Sequence, residues 1–196
     1  MAVPPPSRHM TLPDAKAALR SELRARRRAF VRAGDVPPIA LPEFLAAHIA
    51  EGTMVAGYLP QRFEADPHAM MAQCRLLGAR LALPHVTAMG QSMRFLCWRP
   101  DDPLETNALG IAQPLADAPE ATPDVILTPL IGFDDQLNRL GQGGGFYDRA
   151  FAAHRHALRI GVAWSVQQID GVPVEPWDMP LHAVITEREA IRGDGI

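Results

Sequence analysis

The chain has 196 residues, 47% of them hydrophobic and 21% charged, with a formal net charge of −3. That length supports one domain with a sizeable core, and the charge balance supplies no whole-molecule field for nucleic acid. The two cysteines, Cys74 and Cys97, make no CxxC pair and the seven histidines do not fall at zinc-finger spacing, so reduced thiols in a cytosolic protein are expected.

Residues 1–10 carry three consecutive prolines and no apolar stretch typical of a leader, which reads as a flexible tail ahead of a single domain over 11–190. No apolar run approaches the roughly 20 residues a membrane helix needs. Thr11, Pro13 and Asp14 are an N-cap, a first-turn proline and a first-turn acid, predicting a helix over 13–33. Leu12, Leu19, Leu23 and Phe30 form its incomplete apolar face, and Gly34 closes it. A second helix is predicted over 41–50 and a strand over 53–59. A helix over 66–77 ends at Gly78, a short strand over 79–83 stops at Pro84, and another strand runs over 93–98. Residues 99–123 hold five prolines and little periodicity and read as a long crossing segment. Residues 124–131 open with an apolar run, the mark of a central strand covered on both faces. After a glycine-rich loop come a helix over about 146–156, a strand over 158–164 and a last strand over 182–186. This alternation predicts an α/β fold, a single-domain, mostly parallel sheet with helices on both faces, with ligands beyond the carboxyl ends of its strands.

The loop carries the chemistry. Gly141, Gly143, Gly144 and Gly145 fall within five positions, which leaves backbone N–H groups accessible and lets a ligand come close. No Lys-Ser/Thr follows, so this is not a Walker A loop, and the spacing is wrong for a dinucleotide fingerprint. A structural turn is one reading. Arg139 and Arg149 on either side favour a phosphate site, because a guanidinium presents a planar donor fork to phosphate oxygens. Asp148 beside such a site suits Mg2+, or else caps a helix or pairs with an arginine. Asp134 and Asp135 are weaker metal candidates. On the first helix, Lys16 and Arg20 are four apart and share a face. Arg26, Arg27 and Arg28 make a basic patch that reads as a solvated face, a cationic arm toward polyphosphate, or an RNA contact, though without the aromatics of a single-strand platform. Glu64 follows a strand end, where a carboxylate can accept hydrogen bonds from an amino-substituted heterocycle or serve as a turn residue. Near the C-terminus, Trp177 is either a stacking surface or core, and Asp178 is a second candidate carboxylate for a cation.

Phe133-Asp134 followed by Asn138-Arg139-Leu140-Gly141-Gln142-Gly143-Gly144-Gly145-Phe146-Tyr147-Asp148-Arg149 resembles the signature block of the 5-formyltetrahydrofolate cyclo-ligase family, also called methenyltetrahydrofolate synthetases. Lys16 and Arg20, Glu64-Ala65-Asp66, the Pro173–Asp178 stretch and Val184–Glu187 extend the resemblance over about residues 14–187. The resemblance implies a fold similar to the sugar-phosphate isomerase and CoA-transferase group. It also implies ATP-dependent cyclisation of 5-formyltetrahydrofolate to 5,10-methenyltetrahydrofolate, with ATP and Mg2+ required. Lys16 and Arg20 then look like ATP phosphate ligands, and Arg139, Leu140, Gly141, Gln142, Gly143, Gly144, Gly145, Phe146 and Tyr147 like the nucleotide loop. By the same resemblance Gln142 to Phe146 also look like the folate border, Glu64 like a pterin contact, and Asp148 and Asp178 like the Mg2+ carboxylates. Arg139 and Lys16 would offset charge on the transferring phosphoryl group. Leu137, Pro67 and His182 depart from the family's usual glycine, threonine and aspartate. The expected partner is a small folate substrate and the expected state a cytosolic monomer, with an oligomer as the alternative and no membrane or nucleic acid. The rival functions are a diverged ATP-binding member acting on another small substrate and an RNA-associated regulatory protein.

Overall fold

The computed structural model describes residues 11–196 apart from 89 and 195; the tail expected over 1–10 lies outside the described residues. Helix α1 (Leu12–Arg32) starts at Thr11, whose hydroxyl accepts the Asp14 N–H while the Asp14 carboxylate accepts the Thr11 N–H. This reciprocal capping satisfies two donors that the first turn would otherwise leave open. The predicted second helix shrinks to one turn, α2 (Glu43–Ala46). It is followed by β1 (Met54–Ala56), α3 (His68–Leu76), β2 (Arg80–His85) and β3 (Arg94–Trp98). The supposed crossing segment folds in part as a hairpin of β4 (Leu104–Thr106) and β5 (Ala112–Pro114). Then come β6 (Val125–Pro129), a small hairpin of β7 (Gly132–Phe133) and β8 (Arg139–Leu140), α4 (Phe146–Ala153), β9 (Leu158–Val162), a 3-10 turn over Ser165–Gln167, β10 (Ala183–Ile185) and β11 (Ala190–Arg192).

One sheet organises these pieces in the order β11-β10-β9-β6-β1-β2-β3. Its inner strands run parallel, and β3 and β11 close the edges antiparallel. The strand at 182–186 is therefore not the last: the chain turns back through Thr186 and Glu189, which pair backbone to backbone, and adds β11. Nor does Pro84 end β2. The Arg80 N–H points across to Thr53 beside β1, and alternation gives Pro84 the same direction. β1 ends at Ala56, so the donorless proline nitrogen faces no ladder partner.

Period-2 alternation sorts the strands between two cores. Val55, Leu81, Leu127, Ile160 and Ile185 pack with Met70, Met71 and Cys74 of α3, Leu45 of α2 and Phe30 of α1. Met54, Ala82, Ile126 and Val184 pack on the other face with Ala150 and Phe151 of α4. Burial raises the Cys74 thiol to about 11, so it stays an inert core group. Among the described residues no helix is long and apolar enough to cross a membrane.

A third, smaller cluster fixes α1 over the glycine loop. Leu23 is fully buried against Ile131, Leu140 and Val172. A Cβ at position 132 would lie 2.5 Å from Leu23 Cδ1, so Gly132 makes the room that Leu23 fills. Two departures from the family pattern are structural. Leu137 occupies a left-handed conformation, φ 65°, where the family usually has glycine, at a cost of about 1–2 kcal/mol; its side chain is buried in return. His182 lies beside β9: it accepts the Arg159 N–H on Nδ1 at 2.9 Å and returns its own N–H to the Arg159 carbonyl at 2.8 Å.

Leu23→Ala is expected to cost about 2–5 kcal/mol of folding stability, read as a lowered urea midpoint at unchanged m-value; a loss below about 1 kcal/mol would contradict the anchoring of α1. Burial and nearby Arg159 hold His182 below its ordinary pKa of 6.5. Its contribution to stability is complete above pH 6.5 and is lost as the pH falls through the lower folded value. His182→Asn should flatten that acid decline in urea titrations, and an unchanged slope would reject the assignment.

Candidate functional site

At the carboxyl ends of β1, β2 and β6 lies a cleft of about 540 Å³. Tyr58 and Leu59 beyond β1, Pro84 in β2 and Pro129 at the end of β6 form its floor. Asn107, Ile111 and Gln113 from the β4–β5 hairpin and Lys16 and Arg20 of α1 also line it. The residues that the family resemblance assigns to the site all line this one cleft: Lys16, Arg20, Glu64, Arg139 to Tyr147, Asp148 and Asp178.

The glycine loop enters from β8 and leaves as α4. Gly143 and Gly145 have φ of 102° and 65°, conformations that side chains resist. Gly141 is needed for a different reason: a Cβ there would meet the Arg139 guanidinium at 2.6 Å. Among the described residues, the N–H groups of Gly143, Gly144 and Gly145 donate to no protein acceptor. α4 begins at Gly145 with no side-chain cap, so its first-turn donors also face outward. Accessible amides at the positive end of a helix are an anion cradle.

Charged side chains close around it in pairs. Lys16 Nζ reaches Glu175 at 2.8 Å and Asp178 at 2.9 Å. Burial opposes the Lys16 charge, but hydrogen bonds to Asp178 and Glu175 outweigh it and raise the pKa above 10.5. Arg139 Nη2 pairs with Asp148, while its guanidinium packs 5.7 Å from the Tyr147 ring centroid and 5.6 Å from that of Phe151. Its Nε is buried without a partner among the described residues. Burial pushes the Tyr147 phenol far up, beyond any physiological titration. Arg20 Nε donates to the Gly141 carbonyl at 2.8 Å. Arg24 donates to Gln142 Oε1 at 2.8 Å, and Gln142 Nε2 donates to Glu64 at 3.1 Å.

Several side chains do other work than their sequence positions suggested. Arg149 is turned away from the cleft lining and holds the loop itself, donating to the carbonyls of Gly144 at 3.0 Å and Gln91 at 3.2 Å. Asp134 is buried and accepts N–H groups from Gln136, Asn138 and Val172, as well as the Asn138 side-chain amide; both its oxygens are occupied in building the turn into β8. The basic patch on α1 is dismantled: Arg26 pairs with Glu22, and Arg27 is buried. Trp177 is 67% exposed at the cleft rim rather than core. Glu175 and the β4–β5 hairpin are the site elements sequence reasoning missed. Glu175 was detectable from its place three residues before Asp178, with which it forms a turn; the hairpin was detectable from Asn107 and Gly110 flanking a tight reversal.

Three cations (Lys16, Arg20 and Arg139) and four carboxylates (Glu64, Asp148, Glu175 and Asp178) line the cleft. Among the described residues no three His, Cys, Asp or Glu side chains gather as a ready-made metal cage.

The sequence profile of the 5-formyltetrahydrofolate cyclo-ligase family matches residues 13–187. The chain is 38% identical over 140 residues to a 5-formyltetrahydrofolate cyclo-ligase of Escherichia coli, covering 67% of this chain and 76% of that protein. It is 30% identical over 191 residues to the Mycolicibacterium smegmatis cyclo-ligase, covering 91% and 97%. The solved structure of Aquifex aeolicus 5,10-methenyltetrahydrofolate synthetase superposes with a TM-score of 0.66 at 25% identity, over 92% of this chain and 95% of that one. The Mycoplasma pneumoniae synthetase shares the fold, with a TM-score of 0.60 at 21% identity over 88% and 98%. A glycine loop closed by paired cations and carboxylates at the sheet's carboxyl edge thus meets a match over nearly the whole domain, and the chain belongs to the 5-formyltetrahydrofolate cyclo-ligase family.

Proposed function

We propose that this chain closes the ring of 5-formyltetrahydrofolate to 5,10-methenyltetrahydrofolate, consuming ATP and releasing ADP and phosphate. The observation that carries the reading is the unpartnered N–H row of Gly143 to Gly145, set between Arg20 and Arg139 in a cleft that also holds Glu64. The formyl oxygen is a poor leaving group; transfer of the γ-phosphoryl group to it makes it a good one. N10 then attacks the activated carbon, and phosphate departs as the ring closes. Such transfer needs alignment and neutralised charge more than a protein nucleophile.

Lys16, Arg20 and the loop from Arg139 to Tyr147 would hold the nucleotide, with the amides cradling its phosphates. Gln142 to Phe146 would border the folate, and Glu64 would accept the pterin's amino hydrogens. Exposed Trp177 suits stacking on a heterocycle at the rim. With four carboxylates against three cations in the lining, a bare polyphosphate would meet net negative charge. Asp148 and Asp178 offer hard oxygen donors, and Mg2+ commonly takes one or two carboxylates plus phosphate oxygens; the residues fit the ion without a protein cage. When bound, Mg2+ would neutralise charge on the phosphates. On binding, Lys16 would pass from Glu175 and Asp178 to phosphate and Arg139 from Asp148 to phosphate, and Asp148 and Asp178 would be the residues left to hold the cation.

Residues 11–190 are, in this reading, a single cytosolic domain, a monomer with an oligomer as the alternative. Its kinship with the sugar-phosphate isomerase and CoA-transferase group belongs to the same proposal and is supported by the parallel-centred sheet.

The test is the methenyl product's absorbance with purified protein, 5-formyltetrahydrofolate, ATP and a magnesium titration. Product formation dependent on all three supports the reading; ATP hydrolysis indifferent to the folate points to a different small substrate. Arg139→Ala should lower kcat by about a hundredfold or more in a variant whose fold is verified by circular dichroism. Near-normal steady-state turnover would remove Arg139 from the mechanism.

A further inference from the structure

Arg27 is a buried charge without adequate partners. Its side chain is 8% exposed, and Nε and Nη1 are sealed from solvent with no hydrogen-bond acceptor among the described residues. Burying a guanidinium this way is costly, and an unsatisfied buried donor calls for an explanation. The carboxylate facing it is Glu64, with Nη1 3.9 Å from Oε1 and the Glu64 side chain 6% exposed. Among the described residues, no other cation pairs with Glu64.

The turn that carries Glu64 is held with unusual care. Phe63 adopts φ 68°, a conformation a bulky residue keeps only when its surroundings impose it. Arg32 of α1 and Arg62 lie 5.6 and 5.8 Å from its ring centroid, and Trp164 Nε1 donates to its carbonyl at 3.0 Å. On the other side, the Tyr58 hydroxyl donates to the Ala65 carbonyl. Glu64 Oε2 accepts the Gln61 N–H at 2.9 Å, which leaves Oε1 shared between Gln142 and Arg27. The Gln142 contact is exposed and belongs to the glycine loop; the Arg27 contact is buried and belongs to α1. Arg27 does not itself line the cleft.

We propose that Arg27 is the positioning residue for Glu64: from beneath, it supplies the countercharge that keeps the carboxylate aimed into the cleft toward the amino-bearing heterocycle of the folate. This rests on the reading of Glu64 as the pterin contact. Because Arg27 faces Glu64 and not the amide row, its influence is confined to the folate half of the site.

The experiment measures KM for 5-formyltetrahydrofolate and for ATP, and calorimetric Kd for 5-formyltetrahydrofolate without nucleotide, in Arg27→Met, Arg27→Lys, Glu64→Gln and the Arg27→Met/Glu64→Gln double variant. Arg27→Met should raise the folate KM and Kd about tenfold and leave the ATP KM within about twofold, and Arg27→Lys should recover most of the loss. The double variant should bind folate no worse than Glu64→Gln alone, since the two act as one unit. If Arg27→Met does not fold, Arg27→Gln gives the same comparison. Equal rises in both KM values, no rise, or additive effects would overturn the role of Arg27. If Glu64→Gln itself leaves folate binding unchanged, the pterin contact fails and the proposal falls with it. A loss with Glu64→Gln but none with Arg27→Met removes Arg27 alone.

Discussion

The packing of α1 across the base of the glycine loop is the constraint on which the rest depends. Leu23 fills the space left by Gly132 and contacts Ile131 and Leu140, fixing α1 beside the strand that feeds the loop. Only then do side chains at helical spacing reach their partners: Lys16 the Glu175–Asp178 turn, Arg20 the Gly141 carbonyl, Arg24 Gln142 and Arg27 Glu64. One helix thus addresses both the proposed phosphate cradle and the proposed pterin contact. Gln142, bonded to Arg24 and Glu64 at once, lies at the junction.

Electrostatics explains the mutual pairing of these groups. A cleft of lysine, arginine and carboxylate side chains cannot leave its charges unpaired away from bulk water. The raised pKa of Lys16 expresses how well Asp178 and Glu175 satisfy it. In the proposed reading, a polyphosphate would replace the carboxylates at Lys16 and Arg139, and a divalent cation would replace those cations at Asp178 and Asp148, so binding would trade most ion pairs rather than break them. Among the described residues the amide row of Gly143 to Gly145 has no such internal partner, and it is the feature that most directly calls for an anion.

Much of this was legible in the sequence, for physical reasons. The Thr11–Asp14 capping pair, the apolar run that becomes central β6 and the glycine cluster are local signals, and local signals survive in one dimension. The residues proposed for the site line one cleft, and most of them sit in one contiguous block of the sequence. Other features depend on tertiary context. Pro84 stays in β2 only because β1 has already ended. β11 exists because the chain reverses after Thr186 and Glu189. Arg27 sits among exposed arginines in sequence, and nothing in the pattern says that it alone turns inward. Glu175 was overlooked beside Asp178 because its partner, Lys16, is 159 residues away. The β4–β5 hairpin was hidden by prolines that frame it rather than forbid it.

The most direct measurement is a crystal structure of the protein with a non-hydrolysable ATP analogue, Mg2+ and 5-formyltetrahydrofolate. The account predicts the triphosphate on the amides of Gly143 to Gly145, Lys16 released from Glu175 and Asp178 to a phosphate oxygen, and the formyl oxygen facing the terminal phosphoryl group. A triphosphate bound away from residues 139–148, or a Lys16 still locked to its two carboxylates with nucleotide in place, would contradict it.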